Sequence, residues 1–103
     1  MAKIIEIKVN GEMNLLDVSE DAMLPKLQGI VGGYIETVPI NGSGLLMVVN
    51  EEGLIREMTI NSKASALADQ FIFGPAAIVS VGYNEYGELD LVGIDHKEAE
   101  TDA

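Results

Sequence analysis

Two stretches decide how this chain folds: Leu27-Gln28-Gly29-Ile30-Val31-Gly32-Gly33-Tyr34-Ile35-Glu36 and, further on, Val48-Val49-Asn50-Glu51-Glu52-Gly53. The first reads as the end of a helix, a stop and the start of a strand. Leu24, Leu27 and Val31 repeat at i, i+3 and i+7, with Ile30 alongside, which is the spacing of a helix that buries one stripe. Gly32-Gly33 ends it, one of the two taking the left-handed conformation that glycine adopts at little cost. Gly29 weakens the same helix by about 1 kcal/mol relative to alanine. The second stretch reads as a strand closed by an Asn-to-Gly turn.

Working outward, Lys3 to Val9 alternates, with Ile5, Ile7 and Val9 on one side and Glu6 and Lys8 on the other, a half-buried strand. Asn10-Gly11 is a hairpin signal of the type I′ kind. A returning strand is expected from about Glu12 to Val18. Ser19-Glu20-Asp21 offers a helix cap, and Pro25, welcome only in a first turn, sets the helix start near Leu24. Tyr34 to Ile40 is a strand in which Pro39 marks an edge or an ending. Asn41-Gly42-Ser43-Gly44 turns the chain into Leu45 to Val49, apolar on both faces and so a central strand covered on two sides.

Beyond Gly53, Leu54 to Met58 is expected as another hairpin arm. Asn61 or Ser62 caps a second helix, whose Ala64, Leu67, Ala68 and Phe71 fall on one face. Gly74-Pro75 breaks the chain before the apolar strand Ala76 to Val81, and Glu88 to Ile94 alternates as a last strand. The sum is a single α+β domain over residues 1–94. It has about six mostly antiparallel strands and two short helices packed on the sheet, expected on one face of it. Residues 95–103 read as a flexible acidic tail.

Composition narrows the chemistry. The chain has 103 residues, enough for one core without staples, and 48% of them are hydrophobic. With 5% aromatics and no Trp, that core is aliphatic. No cysteine is present, which excludes disulfides, thiolate metal sites and a cysteine nucleophile. The lone histidine, His96, falls in the tail and cannot serve a triad or a zinc set. The opening residues do not read as a secretory signal, and no segment approaches the roughly 18 to 20 apolar residues of a membrane span. A cytoplasmic protein is the default. Asn41-Gly42-Ser43 has the form of a glycosylation sequon, without meaning in that setting.

The formal charge is −11, from 17 acids against 6 bases. That argues against direct nucleic-acid binding and against anionic membranes. It fits either a solubilising surface or a negative face that docks on a basic partner. The acids singled out for docking are Glu51, Glu52 and Glu57 in one turn region, and Glu85, Glu88 and Asp90 around another. Neither turn has the ligand spacing of a calcium loop, and no metal site or cofactor is expected. The glycines sit at a helix end, the reverse of a phosphate loop.

The quoted stretches, together with Asn61 and Ala64 before a helix and Phe73-Gly74 leading into an apolar strand, resemble a family of small proteins catalogued as domain of unknown function 3846. The resemblance covers the central half to two thirds of the chain. It implies a setting in phages, plasmids and gut bacteria, and no activity, so no catalytic residue is carried over.

The leading expectation is therefore a non-enzymatic acidic accessory protein of a phage or mobile element. It would act on a host protein, for instance a nucleic-acid-handling defence enzyme. The alternatives are a binder of a small nucleotide signal, using Lys26, Arg56 and Lys63 as its cationic candidates, and a structural or self-associating domain. An enzyme working through carboxylates and a divalent ion is the third class.

Overall fold

Alternation within the strands builds two cores on one sheet. The computed structural model describes residues 2–83, 86–87 and 89–94. Six strands are present: β1 (Ala2–Ile7), β2 (Met13–Val18), β3 (Ile35–Ile40), β4 (Leu45–Asn50), β5 (Ala76–Tyr83) and β6 (Leu89–Val92). Two α-helices, α1 (Met23–Val31) and α2 (Ser62–Ala68), and one 3₁₀ turn over Glu20–Ala22 complete the described part of the domain. The main sheet runs in the order β2-β1-β5-β4-β3 with every pairing antiparallel, and β6 also pairs with β5.

On one face Ile5, Ile7, Leu45, Met47, Val49, Ala76 and Ile78 pack with Ala64 and Ala68 of α2. On the other, Ile4, Val48, Ala77 and Val79 pack with Met23, Leu27 and Val31 of α1. The helices thus cover opposite faces, not the single face expected from sequence. The reason is in β4 and β5. Both are apolar on both sides, and each side needs its own cover. The reading of Leu45 to Val49 as a doubly covered strand agrees with this arrangement.

Local signals explain most element boundaries. Gly32 caps α1 in the left-handed conformation (φ 81°), and the Gly32 and Gly33 amides both donate to the Gln28 carbonyl. The helix begins one residue before the expected Leu24, so Pro25 falls in its first turn, where no amide donor is missed. Its buried stripe is Met23, Leu27 and Val31, while Leu24 is 51% exposed. β3 is an edge strand, the place where Pro39 is tolerated.

Three further expectations are corrected. The β1–β2 connection is not a type I′ turn. Gly11 has φ 93° but Asn10 is not in the positive-φ region. The Lys8 amide donates to the Glu12 carbonyl and the Gly11 amide to the Lys8 carbonyl, the pattern of a type I turn followed by a left-handed residue. Residues 54–58 form no strand. They coil through successive turns, with the Arg56 amide on the Glu52 carbonyl and the Met58 amide on the Gly53 carbonyl. Both sides of β4 are already taken, by β3 and β5, so this segment has no ladder to join. Finally, α2 stops at Asp69 (φ 55°), which leaves Phe71 outside the helix and 77% exposed. Leu67 is also partly exposed, and Ile72 takes the buried place expected for Phe71.

One buried side chain joins these pieces. Asn61 is fully buried. Its Oδ1 accepts from the Ala64 amide at 3.1 Å and caps α2, which decides for Asn61 between the two caps expected, Asn61 and Ser62. Its Nδ2 donates to the carbonyls of Ile7 and Gly74, each at 3.0 Å. Its own amide donates to the Ile72 carbonyl. A second asparagine, Asn50, does related work at the end of β4: Nδ2 donates to the Val31 carbonyl at 3.0 Å and Oδ1 accepts from the Glu52 amide at 2.7 Å.

Asn61→Ala should cost about 3 to 5 kcal/mol, since it removes a cap and strands two buried carbonyls. Urea unfolding checks this, and a loss below 1 kcal/mol would contradict the role assigned to the amide. Two glycines make a matched pair. A Cβ on Gly53 would lie 2.7 Å from the Phe73 carbonyl oxygen, whereas one on Gly29 would meet nothing within 4 Å. Gly53→Ala should therefore destabilise by about 1 to 3 kcal/mol, and Gly29→Ala should stabilise by about 0.5 to 1 kcal/mol, in the same unfolding assay.

Candidate functional site

The coil that replaces the expected hairpin arm walls one side of a cleft on the α2 face. Its floor is apolar, made by Val38, Val49 and Ile72. Leu54 and Phe71 stand on its rim and are 69% and 77% exposed; Ile55, next in the chain, is 80% exposed. Glu36 and Glu51 also line it. The cleft encloses about 170 Å³. Glu36 pairs in register with Val49 and so stands on the same sheet face as Val49 and Val38. Among the described residues the carboxylates of Glu36 and Glu51 have no ion-pair or hydrogen-bond partner.

The acids expected to dock divide between the two ends of the sheet. Glu51, Glu52 and Glu57 lie together in the coil after β4. Glu57 is held at φ 55°. Glu52 faces Arg56 across 3.9 Å. Asp90 lies opposite Gly82, beyond the level at which Leu45 pairs with Ser80. At about 3.3 Å per residue that is roughly 20 Å from the coil, so these acids do not converge on one site. Glu85, Glu88, His96 and the segment 95–103 lie outside the described residues.

The three cationic candidates are also separated. Arg56 is committed to structure: its Nη1 donates to the Gly32 carbonyl at 3.3 Å, at the negative end of α1. Lys26 lies on α1, in a shallow depression of about 300 Å³ with Glu6, Pro25, Gly29 and Ile30. Lys63 lies in the first turn of α2, on the opposite face. No anion pocket is assembled from them. Among the described residues no group of three or more Asp, Glu, His or Cys is placed to hold a metal ion. No helix there is long and apolar enough to cross a membrane.

Other acids are spent locally. In the β1–β2 hairpin, Lys3 Nζ meets Asp17 at 2.5 Å and Lys8 Nζ meets Glu12 at 3.5 Å. The Lys3 ammonium holds the Asp17 carboxyl below the usual range, through its hydrogen bond and then its charge. Glu12 is lowered first by the Asn14 amide at 2.9 Å, then by Lys8. The contrast with the unpaired carboxylates at the cleft is what singles the cleft out.

Sequence reasoning missed Glu36, Leu54 and Phe71 as surface groups. The sequence pattern places Leu54 in a strand and Phe71 on a helix face with Ala64 and Ala68. The one available signal was Asp69-Gln70, a polar break just before Phe71 that ends the helix early.

The family's sequence profile, described as Domain of unknown function (DUF3846), matches residues 2–99. The chain belongs to this family. Residues of the stretches quoted for the resemblance have structural tasks in this fold: Gly32 caps α1, Asn50 ties β4 to α1, and Gly53 passes against Phe73. Comparison with the curated proteins gives no match. Among solved structures the chain is similar in fold to part of the crystal structure of the small RNA methyltransferase HEN1, with a TM-score of 0.62 and 17% identity. The similarity covers 94% of this chain and 15% of that one. At that identity it shows a shared fold and nothing about activity.

The Asp17 carboxyl titrates below its ordinary value in the folded state, so its pairing with Lys3 contributes above the unfolded carboxylate range. That contribution is lost as pH falls through the lowered value. In Lys3→Met the Asp17 titration midpoint, followed by carboxyl-carbon NMR, should move up toward the ordinary value. An unchanged midpoint would refute the assignment.

Proposed function

We propose that this protein acts by binding another protein through the cleft beside β3, as a non-enzymatic acidic accessory protein of a phage or mobile element directed at a host protein. The observation that carries the reading is the exposed apolar rim. Leu54 and Phe71, each more than two thirds exposed, stand beside an apolar floor and two carboxylates without a partner among the described residues, and Ile55, next to Leu54 in the chain, is exposed as well. Scattered exposed apolar residues are ordinary, but three close together in chain or cleft, rimmed by charge, are the surface expected of a protein-binding site. The net charge of −11 adds long-range attraction for a basic partner and repels nucleic acid. The phage or mobile-element setting comes from the family resemblance, and the cytoplasm is the compartment that suits a chain with no cysteine.

The structure favours this reading over the nucleotide-signal alternative on one specific ground. Arg56 already serves the α1 carboxyl end, and Lys26 and Lys63 stand on opposite faces.

The double substitution Leu54→Asp/Phe71→Asp should leave the melting temperature within about 3 °C, because both side chains are exposed. It should reduce recovery of the host protein by the purified chain at least about tenfold, a loss of ~1.4 kcal/mol in binding. Leu15→Asp, at an exposed position on the far edge strand, should not. Quantitative affinity capture from host lysate reads the difference. Equal recovery by all three chains would end the proposal.

A further inference from the structure

The cleft borders a strand with one unused side. β3 pairs with β4 only, and among the described residues no strand pairs with its outer edge. One hydrogen bond sets the phase of that edge. The Glu51 amide donates to the Tyr34 carbonyl at 3.0 Å. In an antiparallel ladder, bonded and non-bonded residues alternate. Tyr34, Glu36, Val38 and Ile40 therefore turn their backbone groups to β4. Ile35, Thr37 and Pro39 turn theirs outward. Ile35 and Thr37 present an amide and a carbonyl each, and Pro39 presents a carbonyl alone, which limits the usable edge to the first half of β3.

We infer that the outer edge of β3 accepts an extended, positively charged segment of a partner protein as an added strand, centred on Ile35 and Thr37. Strand addition supplies backbone hydrogen bonds, and alternate side chains supply selectivity. The side chains that such a strand sends to the α2 face lie beside Glu36, whose carboxylate has no partner among the described residues. A lysine or arginine there meets an opposite charge directly across the pair. The next side chain on that face, two residues along, reaches toward the exposed ring of Phe71. Charge complementarity selects this occupant over a second copy of the chain. Two β3 edges pairing would set Glu36 and its neighbour Glu51 against like charges on a molecule that also carries −11. Of the other strands with an open side among the described residues, β2 is a poorer acceptor of a basic strand, because Asp17 and Glu12 are already neutralised by Lys3 and Lys8, and β6 is only 4 residues long. This inference rests on the protein-binding reading of the cleft and specifies the form of the partner.

The test is an NMR titration of the ¹⁵N-labelled chain with acetyl-Lys-Val-Lys-Val-Lys-Val-amide at low salt. Amide shifts should concentrate at Ile35 and Thr37, with smaller changes at Leu54 and Phe71 and none along β2. Thr37→Pro removes an outward amide that β4 does not use, and should weaken binding about tenfold. Glu36→Gln should weaken it about threefold and flatten its salt dependence. A copy of the peptide methylated on alternate backbone nitrogens should leave Ile35 and Thr37 unshifted. Shifts at Leu54 and Phe71 without any at Ile35 and Thr37 would overturn strand addition while leaving the protein-binding cleft standing. Shifts at neither, or shifts spread evenly over the acids of the whole surface, would overturn both.

Discussion

Asn61 is the constraint on which the α2 face depends. It sits where three segments meet: the end of β1, the start of α2 and the passage 72–74 that leads into β5. Its amide satisfies a helix donor and two strand-end carbonyls in a place that water does not reach. Leaving those groups unpaired would cost more than the net value of the bonds themselves. The same residue thereby fixes how far α2 lies from the sheet, and only the small side chains Ala64 and Ala68 fit between. Asn50 repeats the device on the other side of the sheet end, joining β4 to the last carbonyl of α1. Both asparagines lie in the stretches on which the resemblance to the family was read.

Charge is distributed with equal economy. The hairpin at one edge of the sheet carries two lysines, and each is matched to an acid across or along the strands. Such exposed pairs contribute little stability, but they neutralise that edge. At the opposite edge the carboxylates of Glu36 and Glu51 have no cation beside them among the described residues, and they lie next to apolar side chains that the core did not absorb. The difference between the two edges, more than the total charge, gives the surface its polarity. It also separates the acids around Glu51 from Asp90, which lies at the far end of the sheet.

How much of this was legible beforehand depended on whether the governing interaction was local. The glycine stop after α1, the edge placement of Pro39, the cap on α2 and the double cover of β4 all follow from residues near one another in sequence. The α+β class and the antiparallel pairing follow from the strand patterns. What failed was decided at a distance. Leu54 to Met58 has the composition of a strand, but no vacant partner existed beside β4. Leu24 fits a helical stripe as well as Met23 does, and only the position of the sheet chooses between them. Phe71 belongs to a helical face that Asp69 terminates before it is reached. The opposite placement of the two helices needed the strand order, which periodicity does not contain. The cleft shares this origin, since its exposed rim exists because two segments did not adopt the structures their patterns suggest.

The position of β5 has a consequence for how the molecule is made. Both hairpins, β1–β2 and β3–β4, are local units that a nascent chain can form early. They share no ladder with each other; among the described residues β5 is the strand that pairs with one arm of each, and β1 has one further bridge, from Lys3 to Ile94. Until β5 leaves the ribosome the two halves have no common core, and the faces later covered by α1 and α2 stay incomplete. Cooperative folding of the two halves therefore waits for β5, and the interval is one in which unpaired apolar strands are open to chaperones.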